Sequence, residues 1–153
     1  MLINRRKIQI EFGDCDPGGI VYFPRYFEYF DACTNALFER AGLPKQKMLK
    51  SYGIAGIPLV RAEARFLAPS QFGEAVVVES CVARWGRSSF LVLHKLYKGS
   101  RLAVEVSEKR VWVARSPGGH ARFKGQIIPE EVKKKFAGPD RDRRGRNARR
   151  TRA

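Results

Sequence analysis

Asp14 and Asp16 stand two residues apart in a stretch that also holds Pro17, Gly18, Gly19 and, a little further on, Pro24. The proline and the two glycines after Asp16 impose a tight change of direction. Pro24 suits the first turn of a helix, because its missing N–H has no partner to lose there. A carboxylate is thereby held near a helix N-terminus, where free backbone N–H groups and the positive dipole end favour negative charge. Such a place can keep an aspartate ionised and can stabilise a developing oxyanion, which is the chemistry of acyl transfer. The other reading is that both aspartates are turn or capping residues, the common role of aspartate before Pro-Gly. Spacing alone leaves both readings open.

Other reactive side chains form no comparable pattern. Cys15, Cys33 and Cys81 are odd in number and irregularly spaced, so they indicate neither a disulfide framework nor a Cys-based zinc site and read as small buried residues. His94 and His120 are far apart and lack metal-ligand spacing; nothing in the sequence proposes a Ser-His-Asp arrangement. The chain has 153 residues, 44% of them hydrophobic, enough for one domain with a sizeable core. No apolar run approaches the roughly 20 residues that cross a bilayer, and no apolar segment follows the charges at the N-terminus, so a soluble cytoplasmic protein is expected.

The formal net charge is +15. Residues 139–153 hold seven arginines against two aspartates, a net +5, and the remaining 138 residues hold 23 basic and 13 acidic side chains, a net +10. The body is therefore basic without its tail, which favours an anionic partner: a nucleotide-bearing cofactor, an acidic carrier protein, nucleic acid or an anionic membrane surface. The tail is almost free of apolar residues and is expected to be disordered, leaving residues 1–138 as the folded domain.

The positioning elements are legible from periodicity. Ile8, Ile10 and Phe12 alternate with Lys7, Gln9 and Glu11, which predicts a strand over 6–12 with one buried face. A helix is predicted over 23–41, closed by Gly42 and Pro44, with Phe23, Phe27, Phe30, Thr34, Leu37, Phe38 and Ala41 on its apolar face. Asp31 does not fit the solvent side cleanly; it sits at the edge of that stripe, either as a snorkelling residue or as a polar contact inside a pocket. Residues 45–52 read as a short helix or an irregular connection. Four strands are expected over 58–67, 74–85, 88–98 and 101–115, most simply as a meander, with Val60, Ala62, Ala64 and Phe66 on one face of the first. Residues 122–128 are ambiguous, and 129–136 read as a short helix with Pro129 in its first turn. The chain is thus α+β, a curved antiparallel sheet wrapped around one long central helix.

The run from Ile10 to Tyr26 resembles the signature of hot-dog fold thioesterases of the 4-hydroxybenzoyl-CoA thioesterase family. The similarity extends through Phe66 to Pro69 with Gly73 and Glu74, through Trp85 to Phe90, and through Ile127 to Pro129, covering about residues 5–136. It implies a hot-dog fold and a hydrolase that cleaves an acyl-CoA thioester, with Asp16 as nucleophile or general base and the Phe23 amide polarising the thioester carbonyl beside Tyr22. It implies that Arg87 contacts the CoA nucleotide, with Ser88 and Ser89 as donors to phosphate, although the corresponding run of the 4-hydroxybenzoyl branch is more basic. Phe23 stands where the branch of the Tol-Pal envelope system carries a histidine, which leans toward an aryl-CoA. Asp31 then falls where the aryl branch contacts a ring hydroxyl, and Ile57 where that branch can carry a threonine. CoA is part of the substrate and no cofactor or metal is implied; family members are dimers, often paired into tetramers. Two alternatives remain at this level. One is a non-catalytic protein binding CoA derivatives or nucleic acid, disfavoured by a tail without interleaved aromatics; the other is a thioesterase acting on acyl carrier protein.

Overall fold

The computed structural model describes residues 1–117 and 122–138. His120 and the Arg-rich tail, with its expected disorder, lie outside the described residues. Three strands form a meander: β3 (Ala75–Trp85), β4 (Ser89–Lys98) and β5 (Arg101–Val111), antiparallel throughout. On one side β1 (Asn4–Gln9) pairs with β3, from Asn4 opposite Ser80 to Gln9 opposite Ala75. On the other, β2 (Leu59–Phe66) pairs with β5, from Leu59 opposite Arg110 to Phe66 opposite Val104, which gives the order β1-β3-β4-β5-β2.

The expected meander is corrected here, because β2 lies at the far edge rather than beside β3. The cause is the route between them. Helix α1 (Pro24–Arg40) crosses the sheet, α2 (Lys45–Tyr52) is a regular helix, and residues 55–58 then dock on the end of β5. The Ala55 N–H donates to Val113 O at 2.8 Å, Val113 N–H to Gly56 O at 3.1 Å and Val111 N–H to Pro58 O at 3.1 Å. These bonds deliver the chain to the outer side of β5, so β2 pairs there. The ambiguous segment becomes β7 (Phe123–Gly125), paired with β6 (Val113–Arg115), and α3 (Glu130–Lys135) begins after Pro129.

One sheet face covers α1. Val76, Val78, Ser80 and Val82 of β3, Phe90, Val92, His94 and Leu96 of β4, and Val104, Val106, Glu108 and Arg110 of β5 are all buried at the strand period of two. Facing them, α1 buries Tyr26, Phe30, Cys33, Thr34, Leu37 and Phe38. This stripe is rotated from the expected one: Phe23 is exposed and Phe27 half-buried, while Tyr26 and Cys33 are inside. The first strand also ends early. Phe12 starts a 3-10 turn (Phe12–Asp14), is 78% exposed and meets the Phe72 ring edge-on at 5.7 Å instead of joining the core. In β2 no residue is fully buried: of the alternating Val60, Ala62, Ala64 and Phe66, Ala64 packs on the core and Phe66 meets the Tyr26 ring at 5.6 Å, while Val60 and Ala62 are exposed. Cys33 is buried, but Cys15 and Cys81 are only half-buried, and all three are free thiols. No helix among the described residues is long and apolar enough to cross a membrane.

The end of the core farthest from the acidic turn is aromatic: Phe38 packs on Phe90 and Phe136 at ring separations of 5.5 and 4.8 Å. Phe38→Ala is expected to lower unfolding stability by about 3–5 kcal/mol, the range for deleting a buried phenylalanine ring. Urea denaturation followed by circular dichroism reads this as a shift of the midpoint at unchanged slope.

Candidate active site

The turn between β1 and α1 closes on itself through backbone bonds. Asp16 N–H donates to Ile20 O and Gly19 N–H to Asp16 O, both at 2.9 Å, while Cys15 and Val21 form an antiparallel bridge. Inside this loop the Gly18 N–H donates to Asp16 Oδ1 at 2.8 Å, so the carboxylate is half-buried and held by its own turn. A Cβ on Gly18 would stand 3.0 Å from that same oxygen, and Gly19 has φ +81°. The glycines therefore permit both the turn and the close approach of the carboxylate.

Asp14 is used differently. Its Oδ2 accepts the Glu11 N–H at 2.9 Å and its carbonyl accepts the Tyr22 N–H at 2.8 Å, so it organises the 3-10 turn and fixes the entry to α1. Tyr29 Oη is buried against it without an ordinary hydrogen bond, and burial followed by the Asp14 charge pushes the Tyr29 hydroxyl's pKa upward.

Phe23 is the N-cap of α1, already helical at φ −52° and ψ −34°, with Pro24 directly after it. Its carbonyl accepts the Tyr26 N–H at 3.1 Å, whereas no hydrogen bond of the described residues uses its own N–H. A donor is thus left free at the positive end of a 17-residue helix. Phe23 also lines a cavity of about 320 Å³ with Ile20, Tyr26, Phe66 and Leu67. Tyr22, half exposed, meets Phe23 edge-on at 5.8 Å.

Asp31 lies eight residues further along, about 12 Å by helical rise, and lines a second cavity of about 320 Å³ with Asn35, Lys45, Ile57, Leu59 and Arg110. Asp16 and Phe23 are not on its walls. The carboxylate is a pocket contact rather than a snorkelling group: Arg110 Nη2 donates to Asp31 Oδ1 at 2.8 Å, and Asn35 Nδ2 donates to the Asp31 carbonyl at 3.1 Å. Behind it runs a buried polar chain that the sequence pattern did not suggest. Arg110 Nε donates to Glu108 Oε2 at 2.9 Å, Thr34 Oγ1 donates to the same oxygen at 3.2 Å, and His94 Nε2 stands 3.5 Å from it. His94 Nδ1 is 2.7 Å from Ser80 Oγ. Ser80, His94 and Glu108 do meet, yet none is more than 1% exposed, so this trio cannot reach a substrate and serves the core. Burial raises the Glu108 carboxyl's pKa, but the His94 hydrogen bond and the His94 and Arg110 charges outweigh it and hold it below the usual carboxylate range. The alternation of Val104, Val106, Glu108 and Arg110 was the available signal: charged residues continuing an inward-facing series.

Arg87 and Ser88 form the β3–β4 turn, Ser89 opens β4, and the three occupy the end of the sheet opposite the acidic turn. The acidic turn is tied to the start of β3 through Ile10 N–H to Glu74 O at 2.9 Å and Val21 N–H to Ser70 O at 2.9 Å. With β3 eleven residues long, Arg87 and Asp16 of one chain are on the order of 30 Å apart. One protomer therefore brings Asp16 and Phe23 together at one end, and Asp31, Ile57 and the Arg87 hairpin at the other. Ser88 supports the hairpin, its carbonyl accepting the Trp112 N–H at 2.8 Å, and a Cβ on Gly125 would stand 3.2 Å from its Oγ. Among the described residues no group of three or more His, Cys, Asp or Glu side chains is placed to hold a metal.

Over residues 10–136 the sequence matches the thioesterase-like superfamily. It is 34% identical over 110 residues to the 4-hydroxybenzoyl-CoA thioesterase of Pseudomonas sp. strain CBS-3, covering 68% of this chain and 78% of that protein. It is 28% identical over 87 residues to the 1,4-dihydroxy-2-naphthoyl-CoA hydrolase of Synechococcus elongatus, covering 57% of this chain and 64% of that one. The solved 4-hydroxybenzoyl-CoA thioesterase from Pseudomonas sp. strain CBS-3 superposes with a TM-score of 0.79 at 29% identity, over 87% of this chain and 98% of that chain.

Glu108 carries a pH prediction. Its carboxyl pKa is lower folded than the ordinary 4.5, so the stability it adds is present above that value and is lost as pH falls through the folded one. Glu108→Gln removes this dependence. Urea unfolding between about pH 6 and about pH 3 should show the stability gap between wild type and variant narrowing as pH falls.

Proposed function

The chain belongs to the thioesterase-like superfamily, and on that premise we propose that it hydrolyses the thioester of an aromatic acyl-CoA, releasing the free acid and CoA. The observation that carries this reading is the Asp16 carboxylate fixed by the Gly18 N–H directly ahead of a helix whose first free donor is the Phe23 N–H. A thioester carbonyl bound at that donor develops negative charge where the helix dipole favours it. Asp16 then acts on the carbonyl carbon in one of two ways. As nucleophile, a carboxylate oxygen adds, the tetrahedral intermediate collapses with loss of CoA thiolate, and water cleaves the resulting mixed anhydride to regenerate Asp16. As general base, it takes a proton from the attacking water, and the same collapse expels the thiolate. Thiolate is a good leaving group, so neither route requires a strong acid or any cofactor. The resemblance to aryl-CoA thioesterases, together with the Asp31 cavity, supports an acyl group that is a hydroxylated ring, with Asp31 accepting from the hydroxyl and Ile57 packing on the ring.

The separation of the two half-sites supports a dimer as the working unit. β2 begins at the Asp31 cavity, which Leu59 lines, and ends at the Phe23 cavity, which Phe66 lines. It is the outer strand on its side, exposed on both faces, with Leu59, Val60 and Phe66 uncovered. Antiparallel pairing of β2 with the same strand of a second copy would set each Leu59 end beside a Phe66 end. Each Asp16 turn would then share one end of a continuous sheet with the partner's Asp31 cavity and Arg87 hairpin, within reach of one extended acyl-CoA. An acyl-CoA substrate agrees with a cytoplasmic location.

Two outcomes check this. Asp16→Asn is expected to lower kcat on 4-hydroxybenzoyl-CoA by about 10²–10⁴-fold with substrate binding retained; full turnover by this variant on a panel of aryl- and alkyl-CoA thioesters would remove Asp16 from the mechanism. Val60→Asp, which plants a charge on the exposed strand, is expected to give a monomer by sedimentation velocity and at least a tenfold loss of turnover although Asp16 is intact.

A further inference from the structure

Arg110 is 5% exposed, lies at the opposite end of the sheet from Asp16, and has no part in the chemistry at the thioester. All three of its terminal and bridging nitrogens are nevertheless committed. Nε and Nη2 face Glu108 Oε2 at 2.9 and 2.8 Å, Nη1 donates to the Ile57 carbonyl at 3.3 Å, and Nη2 also meets Asp31 Oδ1 at 2.8 Å. On the reading that this chain is an aryl-CoA thioesterase, we propose that Arg110 is a positioning residue that sets acyl-group preference: it pins the Asp31 carboxylate and so selects rings bearing a hydroxyl donor.

The Asp31 side chain is 58% exposed and, left alone, would move among rotamers. Arg110 occupies Oδ1 at 2.8 Å, whereas Oδ2 accepts a long bond from Asn35 Nδ2 at 3.5 Å and keeps acceptor capacity for a group in the cavity that Asp31 lines. An ionised carboxylate only accepts. A ring hydroxyl satisfies it, whereas an unsubstituted ring strips its water and returns nothing, so the site discriminates by the cost of an unpaired polar group.

Pinning requires that Arg110 itself be immobile, and its buried anchor Glu108 is anchored in turn. Glu108 is held by Thr34 and His94, and His94 by Ser80, by Thr34 Oγ1 at 3.1 Å and by stacking on Phe30 at 5.1 Å. The polar chain thus fixes the cavity from behind, in the way a supporting shell fixes a binding group. The Ile57 bond adds a second effect. It ties the wall before β2 to the same guanidinium that holds the α1 wall, so one planar fork spaces both sides of the cavity. A lysine at this position has a single charge centre and cannot do so.

The test uses two non-hydrolysable thioethers, S-(4-hydroxybenzyl)-CoA and S-benzyl-CoA, titrated calorimetrically against wild type, Arg110→Lys, Asp31→Asn and the double variant. Turnover of 4-hydroxybenzoyl-CoA and benzoyl-CoA is measured in parallel. Wild type is expected to bind the hydroxylated ligand about 10–100-fold more tightly. Arg110→Lys should lose most of that preference while binding S-benzyl-CoA within about twofold of wild type, and the double variant should lose no more than Asp31→Asn alone, as for residues acting as one unit. Should Arg110→Lys fail to fold, Glu108→Gln with Arg110→Met, which removes both buried charges together, takes its place with the same expectation. Equal weakening of both ligands at a preserved ratio would reduce Arg110 to a core residue and overturn the proposal, as would a preference untouched by the substitution or absent from wild type. Discrimination between the thioethers without turnover of either thioester would refute the thioesterase reading and leave the assignment of Arg110 standing.

Discussion

One long helix runs through the core, and the sheet closes over it with help from Met48 of α2 and Val132 of α3. α1 turns Phe30, Leu37 and Phe38 inward along a single stripe, and only a concave surface can meet a cylinder along its length. That requirement commits the inward face of three long strands and leaves nothing to cover the outer side of β2. It also places the helix N-terminus at one end of the sheet, beside the turn that must connect it to β1. The geometry of the acidic turn is therefore a by-product of how the core is closed: the chain has to enter α1 at this end, and the entry carries the aspartates.

Because one helix cannot fill the whole concave face with apolar contacts, the middle of the interior is polar. Thr34 from the helix and Ser80, His94 and Glu108 from the sheet meet there, with Arg110 leading out toward Asp31. Replacing such a buried set with hydrophobic residues is often neutral or stabilising, so its presence is weak evidence for stability. Its value lies in orientation. A hydrogen-bonded chain accepts one arrangement of its members, where an aliphatic core would accept several.

Sequence periodicity located the long helix and the three meander strands, because each has a buried face with a period of its own: Val76 and Val78 alternate with Val77 and Glu79 in the chain as they do in space; the C-terminal helix was legible from Pro129 in its first turn. It failed where burial in one chain does not follow the pattern. Val60, Ala62, Ala64 and Phe66 alternate correctly in a strand that touches the core only through Ala64 and Phe66 and buries no residue fully, and the position of β2 depended on hydrogen bonds between residues 55–58 and residues 111–113, far apart in sequence. Phe12 looked like the end of a strand because it continues the alternation of Ile8 and Ile10, but the 3-10 turn set by Asp14 lifts it out. The acidic turn was legible from local chemistry, since proline and glycine act on their immediate neighbours. The Glu108–Arg110 chain was not, because two charges at the end of an apolar alternation look like the strand turning to solvent until its neighbours are known.

The two borders of the sheet are unlike. β1 carries Arg5, Arg6 and Lys7 in succession, with Arg5 paired to Glu79 of β3 and Arg6 and Lys7 exposed, an excess of positive charge that disfavours another copy of itself, whereas in β2 Arg61, Glu63 and Arg65 alternate in sign beside exposed Leu59, Val60 and Phe66. Strand addition at such a molecule is self-terminating. Once the receptive border is used, what remains outward on both sides is the repellent one, so growth stops at a finite sheet instead of running on into a fibril.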